Sequence, residues 1–194
     1  LAPYTTLGIG GPGRYFIHAH NENTVLETIE FANKKSMPIL VLGGGSNLLV
    51  ADAGFPGVVA RIEIAGLAWS VDGDRVRLVA GAGEDWDGVV AQCVDRDLYG
   101  IECLSGIPGS VGGTPVQNVG AYGQEVAGSI DRVVVFDRVR GEFDEIATAD
   151  CGFSYRMSRF KGPDADRFVV CQVAFRVRPG RPTVARRSRR GCWI

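Results

Sequence analysis

Glycine is the residue that most limits what this chain can become. Residues 100–123 run GIECLSGIPGSVGGTPVQNVGAYG, seven glycines in 24 positions. No helix or strand interior tolerates that density, because each glycine costs roughly 0.5–1 kcal/mol relative to alanine there. A second run, GGGSN at 43–47, interrupts the apolar stretch PILVLGGGSNLLV at 38–50. The 27 glycines among 194 residues follow no G-X-Y period and prolines number only 9, so a collagen-like rod is excluded. With 45% hydrophobic and 22% charged residues the chain has the make-up of a folded globular protein. Bare main chain in such a protein belongs where something approaches it closely.

The flanking patterns are of mixed type. YFIHAH at 15–20 reads as a strand, and ENTVLETIEFANKK at 22–35 as a helix with apolar positions 25, 26, 29 and 32 on one face, capped by Asn21 or Asn23. PILVLGGGSNLLV suggests a strand buried on both faces that stops at the three glycines. After GVVARI at 57–62 the character changes: EIAGLAWSV and RVRLVAG flank DGD at 72–74 as an antiparallel hairpin. EDWDGVVAQCVDRD at 84–97 reads as a helix with acids in its first turn and positions 86, 89, 90 and 93 facing inward. DRVVVFD at 131–137 and a half-buried FVVCQVAFRVR at 168–178 supply further strands. The expected division is a first subdomain over 1–62, a second over 63–178 and a basic tail over 179–194.

Charge is unevenly spread along the chain. Residues 176–194 hold seven arginines and no acid, leaving 14 basic against 22 acidic side chains before them: a body of −8 and a tail of +7. An acidic body lacks the basic face that phosphate binding needs, so no nucleic-acid partner is expected. No run approaches the roughly 18 apolar residues of a spanning helix, so no membrane partner is expected either. Cys93, Cys103, Cys151, Cys171 and Cys192 are odd in number and form no C-x-x-C pair, which suits reduced thiols in a cytoplasmic protein. The opening LAPYTTLGIGG has no secretory-signal pattern, which suits the same compartment.

Several motifs lead nowhere. GIGGPG at 8–13 spells a dinucleotide fingerprint, but a strand pattern follows it where a helix is required, Pro12 lies inside it, and Asn33 stands where a ribose-binding acid would be. GGGSN lacks the lysine of a P-loop. His18 and His20 alternate onto one strand face, yet with no third histidine and no cysteine nearby in sequence, no metal site is expected. Glu84, Asp85 and Asp87 read as a helix first turn.

Other stretches have chemistry to offer. Gly43, Gly44 and Gly45 can present successive amides to an anionic group, with Ser46 and Asn47 adding donors; an ordinary loop after a strand is the alternative. Ile107 through Gly123 adds further amides with Ser110, Thr114, Gln117, Asn118 and Tyr122, a set able to bond the edges of a planar heterocycle. Two such cradles in one small protein suggest a large dinucleotide. CGFSYRMSRFKG at 151–162 gathers Tyr155, Arg156, Arg159 and Lys161 around Phe153 and Phe160, where an arginine could grip a carboxylate through two parallel bonds or simply be solvated.

Taken in order, TTLGIGGPGRYF, VLGGGSNLLVAD, GAGEDWDGVV, GIECLSGIPGSVGGTPVQNVGAYGQEV and CGFSYRMSRFKG resemble the bacterial UDP-N-acetylenolpyruvoylglucosamine reductase family over residues 5 to about 184. The resemblance implies an α+β fold of the vanillyl-alcohol-oxidase type: two FAD-binding subdomains, a small parallel sheet and a larger antiparallel sheet with helices, and the flavin between them. It implies FAD as cofactor, NADPH as hydride donor and a UDP-sugar enolpyruvyl ether as substrate, converted to UDP-N-acetylmuramate for peptidoglycan. Cofactor contacts would fall on Gly43, Gly44, Gly45, Ser46, Asn47, Ile107, Pro108, Gly109, Gly112, Gly113, Thr114, Gly120, Ala121, Tyr122 and Gly123, with Thr114 and Tyr122 nearest the reacting ring. Arg156 matches the family's active-site arginine, which holds the substrate carboxylate and stabilises enolate-like charge, and Tyr155 would shape the substrate pocket. The family's proton-donating serine and catalytic glutamate lie in a C-terminal third domain whose segments are not in this sequence. After FRVRPGRPTV the chain turns into ARRSRRGCWI, read as a truncation or frame change, with an evolved basic anchor for acidic lipid or nucleic acid as the alternative. On that reading the polypeptide is an FAD-binding module with little turnover of its own.

Overall fold

A computed structural model describes residues 1–180; the expected basic tail lies, from residue 181 on, outside the described residues. Strand β1 (Gly13–Ala19) leads into helix α1 (Glu22–Lys34). The helix starts where Asn21 accepts a hydrogen bond from the Thr24 amide at 2.9 Å, the side-chain cap that satisfies an otherwise unpaired helical N–H. Its buried face is Val25, Thr28, Ile29 and Ala32, and full burial of Val25 and Ile29 contributes about 1.5–3 kcal/mol each. That face packs against β1 and β3.

Strand β2 (Ile39–Leu42) and β3 (Phe55–Ile62) complete a three-stranded parallel sheet of order β1-β3-β2. The expectation of a doubly buried strand at 38–50 is corrected here. β2 is only four residues long and lies at the sheet edge, with Val41 exposed. The central strand is β3, where Val58, Val59, Ala60 and Ile62 are buried. A short apolar run marks a buried strand without saying which of two neighbours takes the middle.

From Leu67 onward the chain is antiparallel. β4 (Leu67–Asp72) and β5 (Arg75–Gly81) form the hairpin over Gly73 and Asp74. Gly73 takes φ +63 at the first loop position, which matches the strand twist in a two-residue turn. Helix α2 (Trp86–Asp95) buries Trp86, Val89, Val90 and Cys93, and Asp85 caps it through the Gly88 amide at 2.8 Å. β6 (Leu98–Tyr99), the single-turn helix α3 (Gly113–Val116), and the ribbon of β7 (Gly120–Ala121) with β8 (Gln124–Glu125) follow. β9 (Ile130–Asp137), β10 (Glu142–Ala147) and β11 (Phe168–Pro179) complete the larger sheet, order β10-β9-β11-β5-β4 with β6 also pairing β11.

β11 is central and buried through most of its length, not half-buried as its alternation suggests. Register shifts at Val170/Gln172 and Ala174/Phe175 break the period of two. The sheets change between Ile62 and Leu67, yet one hydrophobic cluster runs from Val25 and Ile29 through Ile62 to Trp86 and Phe175. No helix among the described residues is long and apolar enough to cross a membrane.

Candidate functional site

The two glycine-rich stretches meet. A Cβ on Gly44 would stand 2.7 Å from the Gly109 Cα, and one on Gly43 would stand 2.6 Å from the Ser110 Oγ. Ser46 Oγ donates to the Pro108 carbonyl at 3.1 Å, tying the loops across 62 residues of sequence. Gly45, at φ +67, would put a Cβ 1.9 Å from the Tyr4 carbonyl oxygen. The bare positions at 43–45 therefore serve the close approach of other chain segments. Packing accounts for the absence of their side chains, and their main-chain amides are what remains to offer a ligand.

What the loop leaves available is its main chain. The amides of Gly43 to Asn47 donate to no other described residue, and unpaired N–H groups persist where water or a ligand can take them. They line a cleft of about 480 Å³ together with Pro108, Gly109 and Gly113 of the second stretch. Gly113 differs from the other glycines that line the cleft: a Cβ there would meet no atom within 4 Å. It sits in α3, where alanine would be the better helix former, so packing gives no reason for its bareness.

Of the expected site residues, Gly43, Gly44, Gly45, Ser46, Asn47, Ile107, Pro108, Gly109, Gly112, Gly113, Thr114 and Arg156 line the cleft. Thr114 is buried and its hydroxyl donates to the Val111 carbonyl at 2.8 Å. Gly120, Ala121, Tyr122 and Gly123 are not among the lining residues; they form the β7–β8 ribbon, whose tip places Tyr122 at φ +50 and Gly123 at φ +80. Tyr122 and Tyr155 are both largely exposed, 78% and 83%. Lining residues that the sequence did not single out include Trp86, Asp166, Phe168 and Val170. Sequence pattern places Trp86 only on a helix face and Val170 only in a strand; periodicity marks burial without saying that a buried wall borders a cavity.

Arg156 is held in place by a three-point clasp. Ser154 and Met157 exchange main-chain hydrogen bonds at 3.0 Å each, which makes Tyr155 and Arg156 the tip of a tight turn, with Arg156 at φ +54. Arg156 Nη2 donates to the Gly120 carbonyl at 2.7 Å, Asn118 Nδ2 to the Ser154 carbonyl at 2.9 Å, and Ser158 Oγ to the Val116 carbonyl at 2.7 Å. Asn118 and Ser158 are fully buried. The clasp leaves other guanidinium N–H groups of Arg156 to face an anion.

The acidic trio at the start of α2 is structural. Glu84 accepts from the Gly66 amide at 2.6 Å, Asp85 caps the helix, and Asp87 accepts from Ser105 Oγ and the Gly106 amide at 2.7 and 2.6 Å. Among the described residues Cys93, Cys151 and Cys171 are poor nucleophiles: burial pushes the Cys93 and Cys171 thiols up to about 12 and Cys151 to about 11.

A family model described as an FAD-binding domain matches residues 13–139. The chain belongs to that FAD-binding family. Within it, the chain is 48% identical over 176 residues to the UDP-N-acetylenolpyruvoylglucosamine reductase of Thermobifida fusca, covering 90% of this chain and 49% of that protein. It is 49% identical over 181 residues to the enzyme of the same name from Saccharopolyspora erythraea, covering 93% and 49%. The chain thus spans about half the length of the curated relatives it matches. Among solved structures, the UDP-N-acetylenolpyruvylglucosamine reductase of Thermus caldophilus superposes with TM-score 0.75 at 32% identity, over 93% of this chain and 61% of that one. A cholesterol oxidase from Brevibacterium sterolicum, 14% identical with TM-score 0.62 over 84% of this chain and 34% of that one, shares the fold alone. The resemblance read from five ordered motifs, and the FAD-binding fold with its parallel and antiparallel sheets, are borne out.

Proposed function

We propose that the cleft holds FAD and that the chain is the cofactor-binding part of a reductase acting on the enolpyruvyl ether of a UDP-sugar. The observation that carries the reading is the convergence of Gly43–Asn47 and Ile107–Gly113 on one cleft, with free amides on one side and an unfilled glycine, Gly113, on the other. The amides of Gly43 to Asn47 would hold the diphosphate, and the apolar faces of Ile107, Trp86 and Phe168 would exclude water from the ring system. FAD held there would supply hydride chemistry between NADPH and the enolpyruvyl double bond, whose reduction to UDP-N-acetylmuramate also takes up one proton. Arg156 would pair with the substrate carboxylate and stabilise the charge that builds beside it; one such preorganised donor is typically worth about 3–4 kcal/mol.

A second reading confines the claim for these residues to FAD binding, since they span about half the length of the curated relatives they match. A titration of the purified chain with FAD tests the first step: saturable binding at one equivalent, with the two visible bands of oxidised flavin, is expected, and a colourless protein that takes up none overturns the cleft assignment. Stopped-flow reoxidation of the photoreduced complex by the enolpyruvyl UDP-sugar separates the two readings. Turnover at ordinary enzyme rates favours the reductase, and slow oxidation by oxygen alone favours the module.

A further inference from the structure

The sequence shows two histidines without a third ligand, and the fold supplies one. The parallel register pairs His18 with Arg61 and Ala19 with Ile62, so His20 and Glu63 follow side by side at the carboxyl ends of β1 and β3. The Glu63 amide bonds to the Ala19 carbonyl at 2.9 Å, which holds the two segments together. Glu63 Oε2 lies 2.8 Å from His18 Nδ1 and 3.5 Å from His20 Nδ1, and the three ligand atoms all fall within 4.8 Å of one another. Tetrahedral zinc with bonds of about 2.0–2.1 Å separates its ligand atoms by about 3.3 Å, so small side-chain adjustments would close this triangle around an ion.

We propose that His18, His20 and Glu63 form a site for one divalent transition-metal ion of the zinc class, with water completing the coordination. Two imidazoles and one carboxylate suit zinc, cobalt, nickel or copper ahead of magnesium or calcium, which prefer oxygen. The surroundings orient the ligands. Arg61 Nε binds Glu63 Oε1 at 2.9 Å, leaving Oε2 turned toward both imidazoles, an outer contact of the kind that fixes a metal-binding carboxylate. The Arg61 guanidinium rests over the Tyr4 ring at 4.8 Å, and the edges of Tyr4 and Phe16 confine the His18 ring. The Arg61 charge offsets that of Glu63, so the site would be one of modest affinity. The ion would cross-link the ends of β1 and β3, and the proposal is independent of FAD binding.

Calorimetric titration of the full chain with Zn²⁺ after chelator treatment is the test. One equivalent should bind, His20→Ala and Glu63→Gln should each weaken binding tenfold or more, and Zn²⁺ should raise the melting temperature of the parent but not of the variants. Because His20 is exposed, its replacement leaves the metal-free melting temperature in place as a folding control. Co²⁺ should give visible ligand-field bands without an intense near-ultraviolet thiolate band. Unchanged affinity in both variants, no saturable binding at millimolar Zn²⁺, or a thiolate band showing the ion on cysteine sulfur would each overturn the site.

Discussion

Gly44 and Gly113 are bare for opposite reasons. At Gly44 the missing side chain lets one loop touch another, since a Cβ would collide with the Gly109 main chain at 2.7 Å. At Gly113 nothing in the protein comes within 4 Å of that position. The two substitutions therefore separate packing from ligand binding. Gly44→Val should lower the melting temperature of the FAD-free protein and weaken FAD retention as a consequence. Gly113→Val should leave FAD-free melting nearly unchanged while weakening FAD binding about tenfold, a loss of about 1.4 kcal/mol. Differential scanning fluorimetry beside an FAD titration reads both, and equal effects of Gly113→Val on melting and binding would contradict this division.

The elements are joined by side chains that bond to backbone. Asn118, at φ +42, donates to Glu125 Oε2 and the Ser154 carbonyl at 2.9 Å each and accepts from the Ala127 amide at 3.2 Å, so one buried amide braces the β7–β8 ribbon against the turn that carries Arg156. Asn118→Ala would leave those partners unsatisfied, at about 1–3 kcal/mol for a buried group. Its expected signature is a lower melting temperature together with faster trypsin cleavage after Arg156, read by mass spectrometry. Asp137 does the corresponding work at the β9–β10 connection. Its carboxylate, 1% exposed, accepts from Arg167 Nη2 at 2.6 Å and from the Val139 and Arg140 amides at 2.9 and 3.2 Å. The Arg167 hydrogen bond, opposed by burial and aided by those amides, lowers its pKa from 3.8 to about 2. A carboxylate that is more acidic folded than unfolded stabilises the protein above pH 3.8, and that contribution is lost as pH falls toward 2. The loss should be on the order of 1–2 kcal/mol. Denaturant unfolding at pH 5 and pH 2.5 measures it, and Asp137→Asn should be less stable at pH 5 while losing less than the parent on acidification.

At the scale of the whole molecule, one core joins the two sheets, and four cysteines, Cys93, Cys103, Cys151 and Cys171, are buried. Their burial favours the protonated thiol, so Cys93, Cys151 and Cys171 should stay unlabelled by a thiolate-selective reagent at pH 8 and react only after denaturation, as peptide mapping would show. Much of this architecture was legible beforehand, because helix period, capping and turn chemistry act among residues a few positions apart. The inward face of α1, its Asn21 cap, the Gly73 turn and the unusual nature of residues 100–123 all follow from neighbours. β10 went unnoticed because EFDEIA buries only Ile146 and has little apolar alternation to read. Which strand takes the centre of each sheet, the contact between Gly44 and Gly109, the clasp on Arg156 and the meeting of His20 with Glu63 were decided only by tertiary structure. Those contacts depend on strand order and register, which are settled by packing between segments far apart in the chain and leave no local period behind.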